Sequence, residues 1–208
     1  MDFQASEEQK LLRAAIEKLV QDCCPPEKLR AWDREGHFPE EVYQAMVDAG
    51  FVAMVVPEAY GGLGSPMSDC AILYEEVARP SVDFATRIAL QGWGAMILAD
   101  FASQEMREQV LPKVVRGEIK LSFSLTEPNS GSDAAALTTS ARRDGGGWVL
   151  RGQKLFSSGA HAPGNHMILA ARTGKSDDRH QGISLFLVPN DLPGLTIKRL
   201  DVIGRRIL

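Results

Sequence analysis

The hydrophobic pattern of the chain changes period near its middle. Through the first half, apolar residues recur three and four positions apart, as in helices that bury one face. Leu12, Ile16, Leu19 and Val20 form one such stripe, and Ser6 with Gln9 makes a capping box that opens it. A second stripe, Val42, Ala45, Met46 and Ala49, has Pro39 at its first helical position and Gly50 as its stop. Ser68 is placed to cap a third helix carrying Ile72, Leu73 and Val77, which must end before Pro80. A small-residue segment follows from about Val82 to Asp100. A fifth helix begins at Ser103, and Pro112 must bend or divide it. Between the second and third helices, Pro57-Glu58-Ala59-Tyr60-Gly61-Gly62-Leu63-Gly64 is too rich in glycine to be helical. It lacks the lysine and hydroxyl ending of a phosphate loop and reads as a fixed structural loop.

The second half alternates with period two. Leu121, Phe123 and Leu125 are interleaved with serines, which fits a strand half exposed to a binding cleft. Further strands are predicted at Thr138–Arg142, Trp148–Arg151, Met167–Ala171, Ile183–Val188 and Leu195–Leu200. Asp144-Gly145-Gly146-Gly147 makes a hairpin turn between two of them, since glycine tolerates positive φ. Gly174 to Gln181 is polar and reads as a mobile loop. Helices followed by strands predict an α+β protein in two parts, residues 1–117 helical and 118–208 β, meeting near Gly117.

Composition narrows the class. With 208 residues the chain can bury one sizeable core or two small ones, and its apolar share of 44% is ordinary for a soluble protein. A net charge of −4 offers no footprint for nucleic acid, and Arg205-Arg206 is too short for a basic tail. No apolar run approaches the roughly 18 residues that cross a bilayer. Met1-Asp2-Phe3-Gln4 lacks the basic, then apolar layout of a signal peptide. Cys23, Cys24 and Cys70 do not make a disulfide framework or a metal knuckle, and we read them as reduced thiols of a cytoplasmic protein. His37, His161, His166 and His180 show no metal-ligand spacing; His161 and His166 flank a Pro-Gly turn and read as loop residues.

The candidate chemistry concentrates in Leu121-Ser122-Phe123-Ser124-Leu125-Thr126-Glu127-Pro128-Asn129-Ser130-Gly131-Ser132-Asp133. A strand runs into a proline-locked turn and then a Gly-Ser-Asp corner before Ala134-Ala135-Ala136. Such a corner offers N–H groups and hydroxyls at a helix-like N-terminus, suited to a phosphate or a carbonyl-rich ring. Glu127 precedes Pro128 and reads as a turn-positioning residue, not an acid–base catalyst. Glu75 and Glu76, adjacent on a helix, point in different directions and cannot pair on one substrate.

Thr126-Glu127-Pro128 and Gly131-Ser132-Asp133 resemble the flavin signature of the acyl-CoA dehydrogenases. Gly152-Gln153-Lys154-Leu155-Phe156-Ser157-Ser158 resembles a second family segment, with Phe156-Ser157-Ser158 where Trp-Ile-Thr is usual. The resemblance covers nearly the full length. It implies a helical domain, a middle β-barrel-like domain and a C-terminal four-helix bundle, of which only the first two match this chain. It also implies FAD as cofactor, an acyl-CoA thioester as substrate, an electron-transfer flavoprotein or similar acceptor, and a homotetramer or homodimer.

Within the resemblance, the cofactor set is Phe123, Leu125, Thr126, Gly131, Ser132, Phe156, Ser157 and Ser158. Thr126 would present its hydroxyl and neighbouring amides to the pyrimidine end of the flavin, where reduction builds negative charge. Ser132 would contact the FAD pyrophosphate or the phosphopantetheine of the substrate. Phe123 and Leu125 would wall the site, Phe156 would pack on the isoalloxazine, and Ser158 would donate toward the central flavin nitrogen. Serine for threonine keeps that hydroxyl with a looser rotamer, and phenylalanine for tryptophan removes the indole N–H. The family base is a glutamate of the bundle, so it is expected beyond Leu208 and no base is assigned here. Alternatives on the same architecture are an enoyl-CoA reductase of the crotonobetainyl-CoA type, a flavin monooxygenase, and a non-catalytic partner subunit. Trp93 and Phe101 are aromatic-box candidates for a trimethylammonium group, but their helical spacing reads as core.

Overall fold

Ser6 opens the first helix as its sequence predicts. Its hydroxyl accepts from the Gln9 N–H at 3.2 Å, while the Gln9 side chain accepts from the Ser6 N–H at 3.1 Å. The computed structural model describes residues 4–174, 179–200, 202 and 204. The chain divides into two units, one running to Ile119 and one spanning Lys120–Leu200.

The first unit is helical. α1 (Glu7–Cys23) is followed by α2 (Pro26–Glu35), which the apolar pattern did not reveal. Its signal was the other kind: proline at the first helical position and Gly36 in the left-handed region at its end. α3 (Glu40–Asp48) begins one residue later than expected, with Pro39 as the extended cap residue. α4 (Met67–Ala78) is preceded by Pro66, so Ser68 lies inside its first turn and does not cap it. The small-residue segment is a twenty-residue helix, α5 (Val82–Phe101), capped by the Ser81 hydroxyl on the Phe84 N–H. Twelve of its residues are buried, spread around its circumference, which is why it shows no clear stripe. α6 (Gln104–Val115), capped by Ser103, runs on through Pro112 without dividing.

α1 packs on α4, α4 on α5, and α5 on α6. Ile16, Met46, Leu73 and Val77 are fully enclosed between them, and trimming one of the larger side chains to alanine costs about 2–5 kcal/mol. Trp32, Phe38 and Phe84 form an aromatic knot with ring separations of 5.9 and 5.4 Å about Phe84. Glu75 is exposed and Glu76 buried, and the Arg13 guanidinium reaches across from α1 to both. One sequence reading fails here. Trp93 and Phe101 are not core: they are 47% and 80% exposed, and Trp93 meets the edge of Tyr74. The Pro57–Gly64 loop is held by its own backbone, with the Gly64 N–H on Val56 O at 2.9 Å.

The second unit is a mixed five-stranded sheet built on β4 (Asn165–Arg172). β1 (Lys120–Ser124) runs parallel to it, from Lys120 opposite Asn165 to Ser124 opposite Leu169. β5 (Ile183–Pro189) runs antiparallel along its other edge. β2 (Ser140–Asp144) and β3 (Gly147–Arg151) form the expected hairpin, with Asp144 paired to Gly147 around Gly145-Gly146. β2 meets β4 at one pair, Ser140 with Arg172. β1 and β2 therefore share one edge of β4, and residues 125–139 leave the sheet between them. Leu195–Leu200, expected as a strand, pairs with none among the described residues. His166, read as a loop residue, lies in β4.

The exposure of β1 does not follow the alternation of apolar residues and serines, since Leu121 is buried together with the serines. Its serines are buried, Ser122 fully, while Phe123 is half-buried and Leu125 beyond it is 42% exposed. Ser122 tolerates burial because its hydroxyl accepts from the Asn165 side chain at 2.8 Å.

Candidate functional site

Residues 125–139 form a closed corner. The Glu127 N–H donates to Ser130 O at 2.8 Å and the Ser130 N–H returns to Glu127 O at 3.2 Å, around donor-less Pro128. The Ser130 hydroxyl donates to Asp133 O at 2.8 Å. The alanine run is a single 3-10 turn, Ala134–Ala136, whose cap residue Asp133 makes no side-chain bond to it. The helix-like N-terminus expected there is thus no more than one turn. Gly131 and Ser132 are exposed at the outer bend.

Residues 152–158 come to the same corner. Gly152 lies so close to Thr139 that a Cβ would stand 2.3 Å from its hydroxyl oxygen. The Leu155 N–H donates to Thr126 O at 2.8 Å, and the hydroxyls of Ser124 and Ser157 are bonded at 2.8 Å. Phe156 has φ of 59°, a left-handed conformation costly for a residue with a Cβ, and its ring is 66% exposed. Of the eight candidate cofactor residues, Leu125, Thr126, Phe156, Ser157 and Ser158 are thereby gathered, with Phe123 one strand residue away. Gly131 and Ser132 sit farther along the loop.

Sequence reasoning gave Lys154 no role, yet it holds the site together. Its ammonium group, almost fully enclosed, donates to Glu127 Oε1 at 2.8 Å and to Leu125 O at 3.1 Å. Glu127 also accepts from the Thr138 N–H and hydroxyl at 2.7 and 2.8 Å and from the Thr139 N–H at 2.9 Å. Burial by itself raises the carboxyl pKa, but the donors of Lys154, Thr139 and Thr138 outweigh it and hold the group well below the usual range. A carboxylate so stabilised is a poor proton acceptor, which supports its reading as a turn-positioning residue. The available signal was a lysine two residues after Gly152, in a segment with no other charged residue.

The donors that remain define what the corner can do. Among the described residues, neither the Thr126 N–H nor the Thr126 and Ser158 hydroxyls donate to the protein. These groups lie beside exposed apolar side chains, Leu125 and Phe156. Hydroxyl and amide donors next to an aromatic wall fit the carbonyl-bearing edge of a flat heteroaromatic ring such as a flavin. Burial pushes the Cys24 and Cys70 thiols up to about 11, far from thiolate nucleophiles. Among the described residues no cluster of three metal-ligating side chains occurs, and no helix is long and apolar enough to cross a membrane.

Comparison with known proteins gives this geometry a family. Residues 6–118 match the acyl-CoA dehydrogenase N-terminal domain and residues 122–208 match the acyl-CoA dehydrogenase middle domain. The chain belongs to the acyl-CoA dehydrogenase family. It is 34% identical over 196 residues to a mitochondrial isobutyryl-CoA dehydrogenase of Dictyostelium discoideum, covering 94% of this chain and 46% of that protein. Its fold matches a glutaryl-coenzyme A dehydrogenase in complex with glutaryl-CoA, with a TM-score of 0.91 and 31% identity, covering 100% of this chain and 53% of that one. A glutaryl-CoA dehydrogenase of Mycobacterium smegmatis, solved in complex with FADH2, matches with a TM-score of 0.85 at 25% identity, over 97% of this chain and 50% of that one. The chain thus spans about half the length of the relatives it matches.

Proposed function

We propose that the protein carrying this chain is an FAD-dependent acyl-CoA dehydrogenase, and that this chain supplies the floor and one edge of its flavin site. The observation that carries the reading is the Leu155-to-Thr126 bond at 2.8 Å, which brings two segments from opposite ends of the β1–β4 connection to one corner. The M. smegmatis relative solved with FADH2 and the relative solved with glutaryl-CoA support the same cofactor and substrate class.

When bound, the flavin supplies an acceptor for the hydride that leaves the β-carbon of a saturated thioester. The chain's own residues prepare that transfer. Thr126 offers its N–H and hydroxyl where negative charge grows on the reduced ring, and fixed donors there favour reduction. Ser158 would offer a hydroxyl toward the ring, Phe156 would cover it against water, and Phe123 and Leu125 would make the wall. Ser132, exposed at the bend with Gly131, would contact the pyrophosphate or the phosphopantetheine. The α-proton must go to a base, and no residue of this chain is given that role, because Glu127 is committed to Lys154 and Thr138. Electrons leave to an electron-transfer flavoprotein or an acceptor of that kind.

The test compares this 208-residue stretch with the full-length protein for flavin absorbance and its bleaching by acyl-CoA. The full-length protein is expected to be yellow and to bleach, and the stretch alone to hold flavin weakly and to turn over nothing. A colourless full-length protein that no acyl-CoA affects would refute the assignment, as would dye-linked turnover by the short form.

A further inference from the structure

Lys154 and Leu155 grip three consecutive residues of the corner, and each grip has a different purpose. The Leu155 N–H takes the carbonyl of Thr126 at 2.8 Å. The Lys154 ammonium takes the carboxylate of Glu127 at 2.8 Å and the carbonyl of Leu125 at 3.1 Å. That last contact bears on the site most directly. A trans peptide unit is planar, with its carbonyl and its N–H pointing in opposite directions. No cis bond occurs among the described residues, so fixing the Leu125 carbonyl also fixes the direction of the Thr126 N–H. That N–H is a backbone donor without a protein acceptor among the described residues. Glu127 in turn fixes the ammonium group, since its three contacts to Thr138 and Thr139 immobilise the carboxylate.

We infer that Lys154, anchored by Glu127, is a positioning residue that aims the Thr126 N–H at the flavin, and thereby tunes the flavin's reduction potential without touching it. The inference rests on the flavin reading above and adds to it a residue, a route and a measurable property. A lysine is suited to this role because its ammonium donates to two acceptors at once, here a carbonyl and a carboxylate. An uncharged side chain of similar length keeps the packing but lets the 125–126 peptide turn. The reduced ring then loses an aimed donor, while the oxidised ring, carrying less charge, loses less. Reduction becomes harder.

The test uses the full-length protein with bound FAD and three variants, Lys154→Met, Glu127→Gln and the double variant. Removing one buried charge strands the other, so a single variant can unfold, whereas removing both leaves no buried charge. The double variant is expected to keep the wild-type melting temperature within a few degrees. Its flavin midpoint potential is expected to fall as the affinity for reduced over oxidised flavin drops about tenfold, equal to roughly 30 mV for two electrons. Hydrogen exchange of peptides 125–127 and 154–158 in the unaltered protein supplies a readout that needs no variant: both are expected to slow together when flavin is added. A double variant with wild-type potential, or peptides that respond independently, overturns the inference and leaves the flavin assignment standing. A wild-type protein that takes up no flavin refutes both.

Discussion

Phe156 departs from the ordinary rules more than any other residue of the corner. Its left-handed backbone costs about 1–2 kcal/mol, and its ring faces outward, so neither backbone comfort nor burial explains it. The cost is consistent with a side chain placed for a ligand. Phe156→Gly relieves the strain and loses some chain entropy, so its unfolding free energy is expected to lie within about 1 kcal/mol of wild type. Flavin binding, followed by fluorescence quenching, is expected to weaken at the same time. A large loss of stability with unchanged flavin binding would make Phe156 a structural residue. Glu127 gives a second prediction at this scale. Its folded pKa lies below its unfolded value, so its contribution to stability is complete above about pH 4.3 and is lost as pH falls from there through the folded pKa. Denaturant unfolding between pH 6 and pH 3 is expected to show a steeper acid loss for wild type than for Glu127→Gln. Equal slopes would mean that the Lys154 and threonine contacts do not hold the carboxylate.

Among the elements, the Pro57–Gly64 loop depends on one close backbone approach. Gly62 sits against the Val56 carbonyl, where a Cβ would stand 2.1 Å from the oxygen, so Gly62→Ala must displace backbone. It is expected to cost about 1–3 kcal/mol, read by thermal or denaturant unfolding of the helical unit. A neutral result would mean that the Pro57–Gly64 loop is not fixed as described. Helices with one buried stripe, α1 and α3, were legible in the sequence, and the Asp144–Gly147 hairpin was legible from its turn chemistry. α5 was not, because a helix buried on most sides has no polar face to set a period. α2 was missed because its information lay in a leading proline and a trailing glycine. In β1 the alternation was legible but the burial was not, since hydrogen bonds to Asn165 and Ser157 let the serines be buried as well as Leu121. The candidate site was legible as two separate segments. Their junction was not, because it depends on Lys154, whose partners lie 27 and 29 positions away in the chain.

For the whole molecule, the proposed function gives this chain donors, a wall and a lysine-braced corner, and gives none of its described residues the role of base. The family match over both units and the meeting of the Thr126 and Phe156 segments are independent observations that agree. The most direct measurement is a structure of the full-length protein with FAD bound. The account predicts the pyrimidine edge of the flavin within hydrogen-bond reach, about 2.7–3.2 Å, of the Thr126 donors, with the Phe156 ring against the isoalloxazine. A flavin bound elsewhere, with Thr126 and Ser158 facing water, would contradict it.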